Sequence, residues 1–180
     1  MSLVLIIIIL VAMWGVSTYN SLIVLRGRVD NSWAQIDVQL KRRFDLIPNL
    51  VSSVKGYAQH EKETLEEVTA SRTKYLSAKT PEDKLGANSE LSGALSRLFA
   101  VAENYPDLKA STNFLDLQTQ LKDTEDKISY SRQFYNDTAM KFNIAIVKVP
   151  TSIIAGLFGF KDRPYFKTEG EERENVEVKF

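Results

Sequence analysis

The sequence predicts an all-α fold: an N-terminal transmembrane helix continuing into a long kinked helix, packed with two further helices and a short C-terminal helix as an antiparallel bundle. Three observations predict it. No side chain from Met1 to Leu25 is charged. Beyond that point apolar residues recur mostly at every third or fourth position, the spacing of one buried helical stripe. Glycine and proline are scarce, 8 and 5 in 180 residues, which favours long regular elements over a turn-rich β fold. The length suits one domain plus an anchor. The expected division is an anchor over 1–25, a bundle over 26–149, an apolar glycine-containing segment over 150–166 and an acidic tail over 167–180.

Leu3 to Val16 is a continuous apolar run, and the uncharged stretch continues to Leu25. A bilayer core of ~30 Å takes ~20 helical residues, so the length fits a span. Trp14 and Tyr19 suit a membrane interface. The competing reading is a cleaved signal peptide, but no Lys or Arg precedes the run and no A-x-A-like cleavage site follows it. With no Cys, a lipoprotein is excluded. Arg26, Arg28, Lys41, Arg42 and Arg43 all follow the span. The positive-inside bias therefore puts the larger C-terminal part in the cytoplasm and the short N-terminus outside.

The first stripe after the anchor is Val29, Trp33, Ile36, Leu40, Phe44, Ile47, Val51, Val54, Ala58, Leu65 and Val68. It stays in phase across Pro48, so one kinked helix is expected to about Ser77, with a turn at Asp45 to Asn49 as the alternative. Thr80-Pro81-Glu82-Asp83 reads as a helix start: a Thr cap, Pro at the first position, acids in the first turn. Leu85, Leu91, Leu95, Leu98, Phe99 and Ala102 form its stripe, and Tyr105-Pro106 ends it. Ser111 or Thr112 caps a third helix whose stripe is Phe114, Leu117, Leu121, Ile128, Tyr135, Phe142 and Ala145. Thr124, Ser131 and Thr138 share that face, and Pro150 closes it. Thr151 to Phe160 is short, apolar and glycine-punctuated, and Asp162-Arg163-Pro164 reads as a turn. The tail, with five Glu between 169 and 177, reads as disordered rather than as an added strand.

Composition excludes much chemistry. Lys+Arg and Asp+Glu are both 23, so no global field draws the chain to nucleic acid. Without Cys there are no disulfides, thiol nucleophiles or thiolate metal sites. His60 is the sole histidine. His60-Glu61-Lys62-Glu63 lacks the second His of a zincin, and a di-iron bundle needs two Glu-x-x-His units. One histidine also makes a Ser-His-Asp site improbable. Glu61, Glu63, Glu66 and Glu67 read as a solvated face, as do Asp123, Glu125 and Asp126 between Lys122 and Lys127. No phosphate loop is present, and Asn136-Asp137-Thr138 matches a glycosylation sequon but falls mid-helix. No catalytic, cofactor-binding or metal-binding residue is expected, and no cofactor. Lys41, Arg42 and Arg43 form the one basic cluster, a weak candidate for lipid or partner contact. At 1.5 Å per residue they lie ~27 Å beyond Arg26, so a solvated or protein-paired face is the simpler reading.

Several stretches resemble the LemA family of bacterial membrane proteins. They include Arg26-Gly27-Arg28-Val29-Asp30-Asn31-Ser32-Trp33 through Arg43, Asp45-Leu46-Ile47-Pro48-Asn49-Leu50-Val51, and Arg97-Leu98-Phe99-Ala100 through Ala110. Tyr19-Asn20-x-Leu22, Arg132-Gln133-Phe134-Tyr135-Asn136-Asp137 and Ile154-Ala155-Gly156-Leu157-Phe158-Gly159-Phe160 complete the set. Gly27 departs from the family pattern, which usually has Asn there. The resemblance implies a single-pass protein of the bacterial inner membrane with an antiparallel helical bundle. It implies no reaction. Some family members are associated with magnetosome membrane formation, which points to membrane organisation.

The function expected is a non-enzymatic, membrane-anchored, self-assembling scaffold of the bacterial envelope. The alternative is an adaptor or accessory subunit of a membrane protease or phosphatase, with a membrane protein partner. Self-assembly rests on helix lengths. A second helix folding back from Thr80 reaches only to about Val51, and the third then runs away from the membrane. Val29, Trp33, Ile36 and Leu40 are thereby left bare as a coiled-coil-like interface for a homo-oligomer; in the alternative, a turn at Asp45 to Asn49 packs 26–44 back as the fourth member of a monomeric bundle and the stripe is core.

Overall fold

The computed structural model describes residues 2–58 and 60–166, which form helices with no strand among them. The acidic tail lies outside the described residues. The first helix, α1, is Ser2–Lys55, 54 residues that continue through Pro48. A helix-interior proline costs about 3 kcal/mol or more. Phe44, Ile47, Leu50 and Val54 around it are each at most 1% exposed. At about 1.5–3 kcal/mol per buried large apolar side chain, keeping them on one stripe outweighs the proline.

The chain then turns. The amides of Tyr57 and Ala58 bond back to the Val54 carbonyl, and α2 starts at Lys62 and ends at Ser77. This corrects the expectation of one helix to about Ser77. The stripe stays in phase through the break because Ala58, in the turn, is itself buried, so periodicity alone does not register a reversal there. Gly56 follows the last helical residue, Lys55, without taking the left-handed conformation.

α3, Pro81–Ala102, begins as its sequence predicts: the Asp83 amide donates to the Thr80 hydroxyl at 3.1 Å, and Pro81 holds the first position. α2 and α3 pack together, with Lys74 paired to Glu90 and Arg97 to Glu67, both at 2.6 Å. A single turn, α4 (Pro106–Lys109), buries Leu108. α5 is Thr112–Val147, 36 residues, and α6 is Thr151–Leu157, bent 94° from α5.

The extra reversal at 56–61 changes the direction of α5. It runs back along α1 toward the apolar N-terminal part of that helix, opposite to the direction expected. Arg43 is paired with Glu125, and Ser32 shares a 2.9 Å hydrogen bond with Thr138. Rising numbers on one helix thus meet falling numbers on the other.

The chain divides into two compact units: Met1–Ala34 with Ser131–Phe180, and Gln35–Tyr130. The second is a helical bundle built on Ile36, Leu40, Phe44, Ile47, Leu50 and Val54 of α1, with Leu65, Val68, Leu91, Leu98, Leu121 and Ile128 also buried. Within it Phe44 stacks on Tyr75 at 4.1 Å. Burial, then the negative charges of Asp37 and Asp45, push the Tyr75 phenol up to about 12. In the first unit α1 pairs with the end of α5, and α6 and residues 158–166 fold against them.

Candidate functional site

The basic cluster and the α1 stripe resolve first, within the Gln35–Tyr130 unit and its neighbour. Lys41 and Arg42 are exposed, but Arg43 is 4% exposed. Its guanidinium donates to Asn88 at 2.6 Å and to Ser92 at 3.0 Å, and it pairs with Glu125. This removes Arg43 from any lipid-contact role. A buried guanidinium must be paired to offset its desolvation, and it ties α1, α3 and α5 in one register.

Val29, Ile36 and Leu40 are at most 1% exposed within the single chain. Trp33 is half-buried, edge-on to Tyr135 at 6.4 Å and tilted against Phe166 at 5.7 Å. The stripe expected to lie bare for a second copy is core. The physical reason is the returning α5, which covers what a helix running the other way would leave open. Thr124, Ser131 and Thr138 on α5 are buried with it. Thr124 and Thr138 satisfy their hydroxyls by donating to helix carbonyls of Leu121 and Tyr135.

The surface that remains unusual lies in the other unit. From Leu3 to Val16 the large apolar side chains of α1 are exposed, and α1 is long and apolar enough to cross a membrane. Against its C-terminal part sits α6. Ile154 approaches Gly15 closely enough that a Cβ there would meet it at 3.7 Å. Phe158 packs on Tyr19 at 4.6 Å between ring centroids, and Phe160 on Tyr19 and on Phe142. Arg26 lies over the Phe160 ring at 5.6 Å. The outer side of this elbow is bare: Val147, Val149, Ile153, Leu157 and Phe158 are 56–76% exposed. An open groove of about 690 Å³ runs beside it, lined by Asn143, Ile146, Ala155, Phe160 and Tyr165 among others.

Residues 161–166 form no turn at Asp162-Arg163-Pro164; they lie along α5 as an irregular strip. Asn143 both accepts from the Arg163 amide and donates to its carbonyl, at 2.8 Å each. Asn136 does the same with Phe166, at 2.9 Å each. The spacings match: two helical turns rise ~10.5 Å, and three extended residues span ~10 Å. Arg163 also bonds Asp30 at 2.8 Å. These two asparagines, one of them in the sequon, are what the sequence reading missed. Their seven-residue spacing on one helix face is the signal that was there.

His60 is exposed, and Glu61 beside it accepts from the Tyr105 hydroxyl at 2.9 Å. Among the described residues no three His, Asp or Glu side chains converge as metal ligands would. The exceptional surface among the described residues is apolar.

A model of the LemA family matches residues 32–180. The chain belongs to the LemA family. Among similar proteins, the magnetosome protein MamQ of Magnetospirillum gryphiswaldense is 38% identical over 82 residues, covering 46% of this chain and 30% of that protein. Magnetosome protein MamQ 2 of Paramagnetospirillum magneticum is 27% identical over 175 residues, covering 83% of this chain and 64% of that protein. Protein LemA of Metamycoplasma hominis is 29% identical over 163 residues, covering 88% and 73%. The chain spans less than two thirds of the length of the magnetosome proteins it matches. These likenesses and the candidate span of α1 make this a membrane-associated helical protein of the LemA family.

Proposed function

We propose that this LemA-family protein is a non-enzymatic, single-pass membrane-anchored scaffold that organises membrane or partner proteins, with its helical bundle in the cytoplasm. One observation carries the reading: α1 is apolar and bare over Leu3–Val16, yet further along turns a regular stripe into the core. Apolar surface left in water costs roughly 25 cal/mol per Å², so a bare run of that length calls for a bilayer around it. Arg26 and Arg28 follow the span, and Lys148 and Lys161 flank α6 beside it. All four favour a cytoplasmic bundle under the positive-inside bias. The relatives named as magnetosome proteins support membrane organisation as the task. The non-enzymatic part is supported by the buried polar groups, since Arg43, Asn88, Thr124 and Thr138 spend their hydrogen bonds inside the bundle. Self-association stays in the proposal through the anchor alone, because copies held in one bilayer share orientation and are locally concentrated.

The test joins mass and topology. The protein extracted from membranes should keep residues 1–25 by intact mass. A cysteine placed at exposed Lys122 should resist a membrane-impermeant thiol reagent in intact cells and react after lysis. A mature N-terminus beyond about Ser17 would show a cleaved leader instead, and labelling in intact cells would reverse the topology.

A further inference from the structure

The uncharged elbow of α6 packs against the C-terminal part of the apolar run of α1, with Ile154 at Gly15 and Phe158 on Tyr19. We propose that α6 and Phe158 are a second membrane contact, lying in the plane of the leaflet from which α1 emerges and immersed in its acyl region. The inference rests on the anchoring proposed above. Counting ~20 helical residues for a ~30 Å core from Leu3 places the near edge of the hydrocarbon at about Leu22. Gly15, against Ile154, is then ~10 Å inside that edge, and Tyr19, against Phe158, ~5 Å inside it, at 1.5 Å per residue. Those depths match the ~5–10 Å to which interfacial helices sink.

Orientation and charge agree with depth. α5 runs antiparallel to α1, and α6 is bent 94° from α5, so α6 crosses the axis of the anchor and not along it. No side chain from Val149 to Phe160 is charged. Ile153 and Leu157 are 65% and 76% exposed, and Phe158, whose ring lies against Tyr19, is still 56% exposed. Lys148 and Lys161 bracket the segment, both exposed, and Arg26 caps Phe160. Long basic side chains at such positions reach up to lipid headgroups while the apolar part stays below.

The chain has no cysteine, so one environment-sensitive fluorophore can be placed per full-length protein in phosphatidylcholine–phosphatidylglycerol vesicles. Ile7→Cys marks the anchor, Ile153→Cys and Leu157→Cys mark α6, and Leu76→Cys on α2 is the water-exposed control. All are more than half exposed, so the label does not enter the core, and far-UV circular dichroism checks each variant. Spin-labelled lipids should quench Leu157→Cys and Ile153→Cys at least ~2-fold more than Leu76→Cys, with shallow labels more effective than deep ones, as a depth of ~5–10 Å requires. Quenching at Ile7 with none at 153 and 157 would overturn this inference and leave the anchor standing. No quenching at Ile7 would remove the anchor, and this inference with it. Cross-linking of Leu157→Cys between copies without lipid quenching would assign the face to a second chain and overturn the lipid contact.

Discussion

Each of the two units contains part of α1 and part of α5, yet they present opposite surfaces. In Gln35–Tyr130 the exposed large apolar residues are scattered: Val38, Tyr57, Leu76, Leu115 and Tyr130. Ion pairs such as Lys84–Asp37 and Arg97–Glu67 occupy the outside, and one buried guanidinium holds the register. In Met1–Ala34 with Ser131–Phe180, bare apolar side chains run from Leu3 to Val16 and again over 144–158. There the interior is held by aromatic rings, asparagine clasps and the Ser32–Thr138 hydroxyl pair. Secondary structure does not distinguish the two. Which solvent each can face does: one surface is compatible with water, and the other gains free energy only where water is excluded.

The comparison breaks most visibly at the anchor. Ile8→Arg with Val11→Arg places two charges mid-span, at about 2.5–3.5 kcal/mol each. The protein should leave the carbonate-resistant membrane fraction, while thermal unfolding of the Gln35–Tyr130 core stays unchanged. Arg43→Ala strikes the other unit. It should cost about 1–3 kcal/mol by urea unfolding, because it leaves buried Asn88 without its donor while Glu125, 40% exposed, keeps part of its hydration. Arg43→Met with Glu125→Leu should recover most of that loss. A cost below about 1 kcal/mol for the single change would show the network to be solvated.

Ile36→Ala addresses the stripe. At 0% exposure, it should destabilise by about 2–5 kcal/mol with no change in particle size. A smaller particle with unchanged stability would restore the interface that the fold has taken away. Asn143→Ala should cost about 1–3 kcal/mol locally. Hydrogen exchange at the Arg163 amide should rise, and the melting of the Gln35–Tyr130 unit should not move. The mildest effect is on pH. Tyr75 holds its proton up to about 12 when folded against 10.0 unfolded. Its contribution is therefore complete below pH 10 and lost as pH rises through 12. Tyr75→Phe should flatten that part of the stability–pH curve.

Residue by residue, the sequence was most legible where one interaction dominates. The Thr80–Pro81 start, the core positions of α3 and the candidate span need only local capping or a hydrophobic count. The α1 stripe was legible as apolar, but its partner was not. Whether Ile36 and Leu40 meet a second copy or their own α5 depends on a reversal at 56–61, which the buried Ala58 hides from periodicity. Arg43 reads with Lys41 and Arg42 as part of a solvated or protein-paired face, and only three converging helices decide that Arg43 is the one buried and paired. The apolar 153–160 segment was visible, but not its position.

By itself, then, the sequence determined what each stretch prefers: helix, cap, apolar face, and a run too hydrophobic for water. Those are local free energies, readable from neighbours within a few residues. Tertiary structure decided which faces meet, since the number of reversals sets the direction of α5. That direction brings Thr138 to Ser32, Glu125 to Arg43 and Phe158 to Tyr19. One further turn of the chain exchanges an exposed stripe for a core, because burial depends on what lies opposite a side chain and not on the side chain alone.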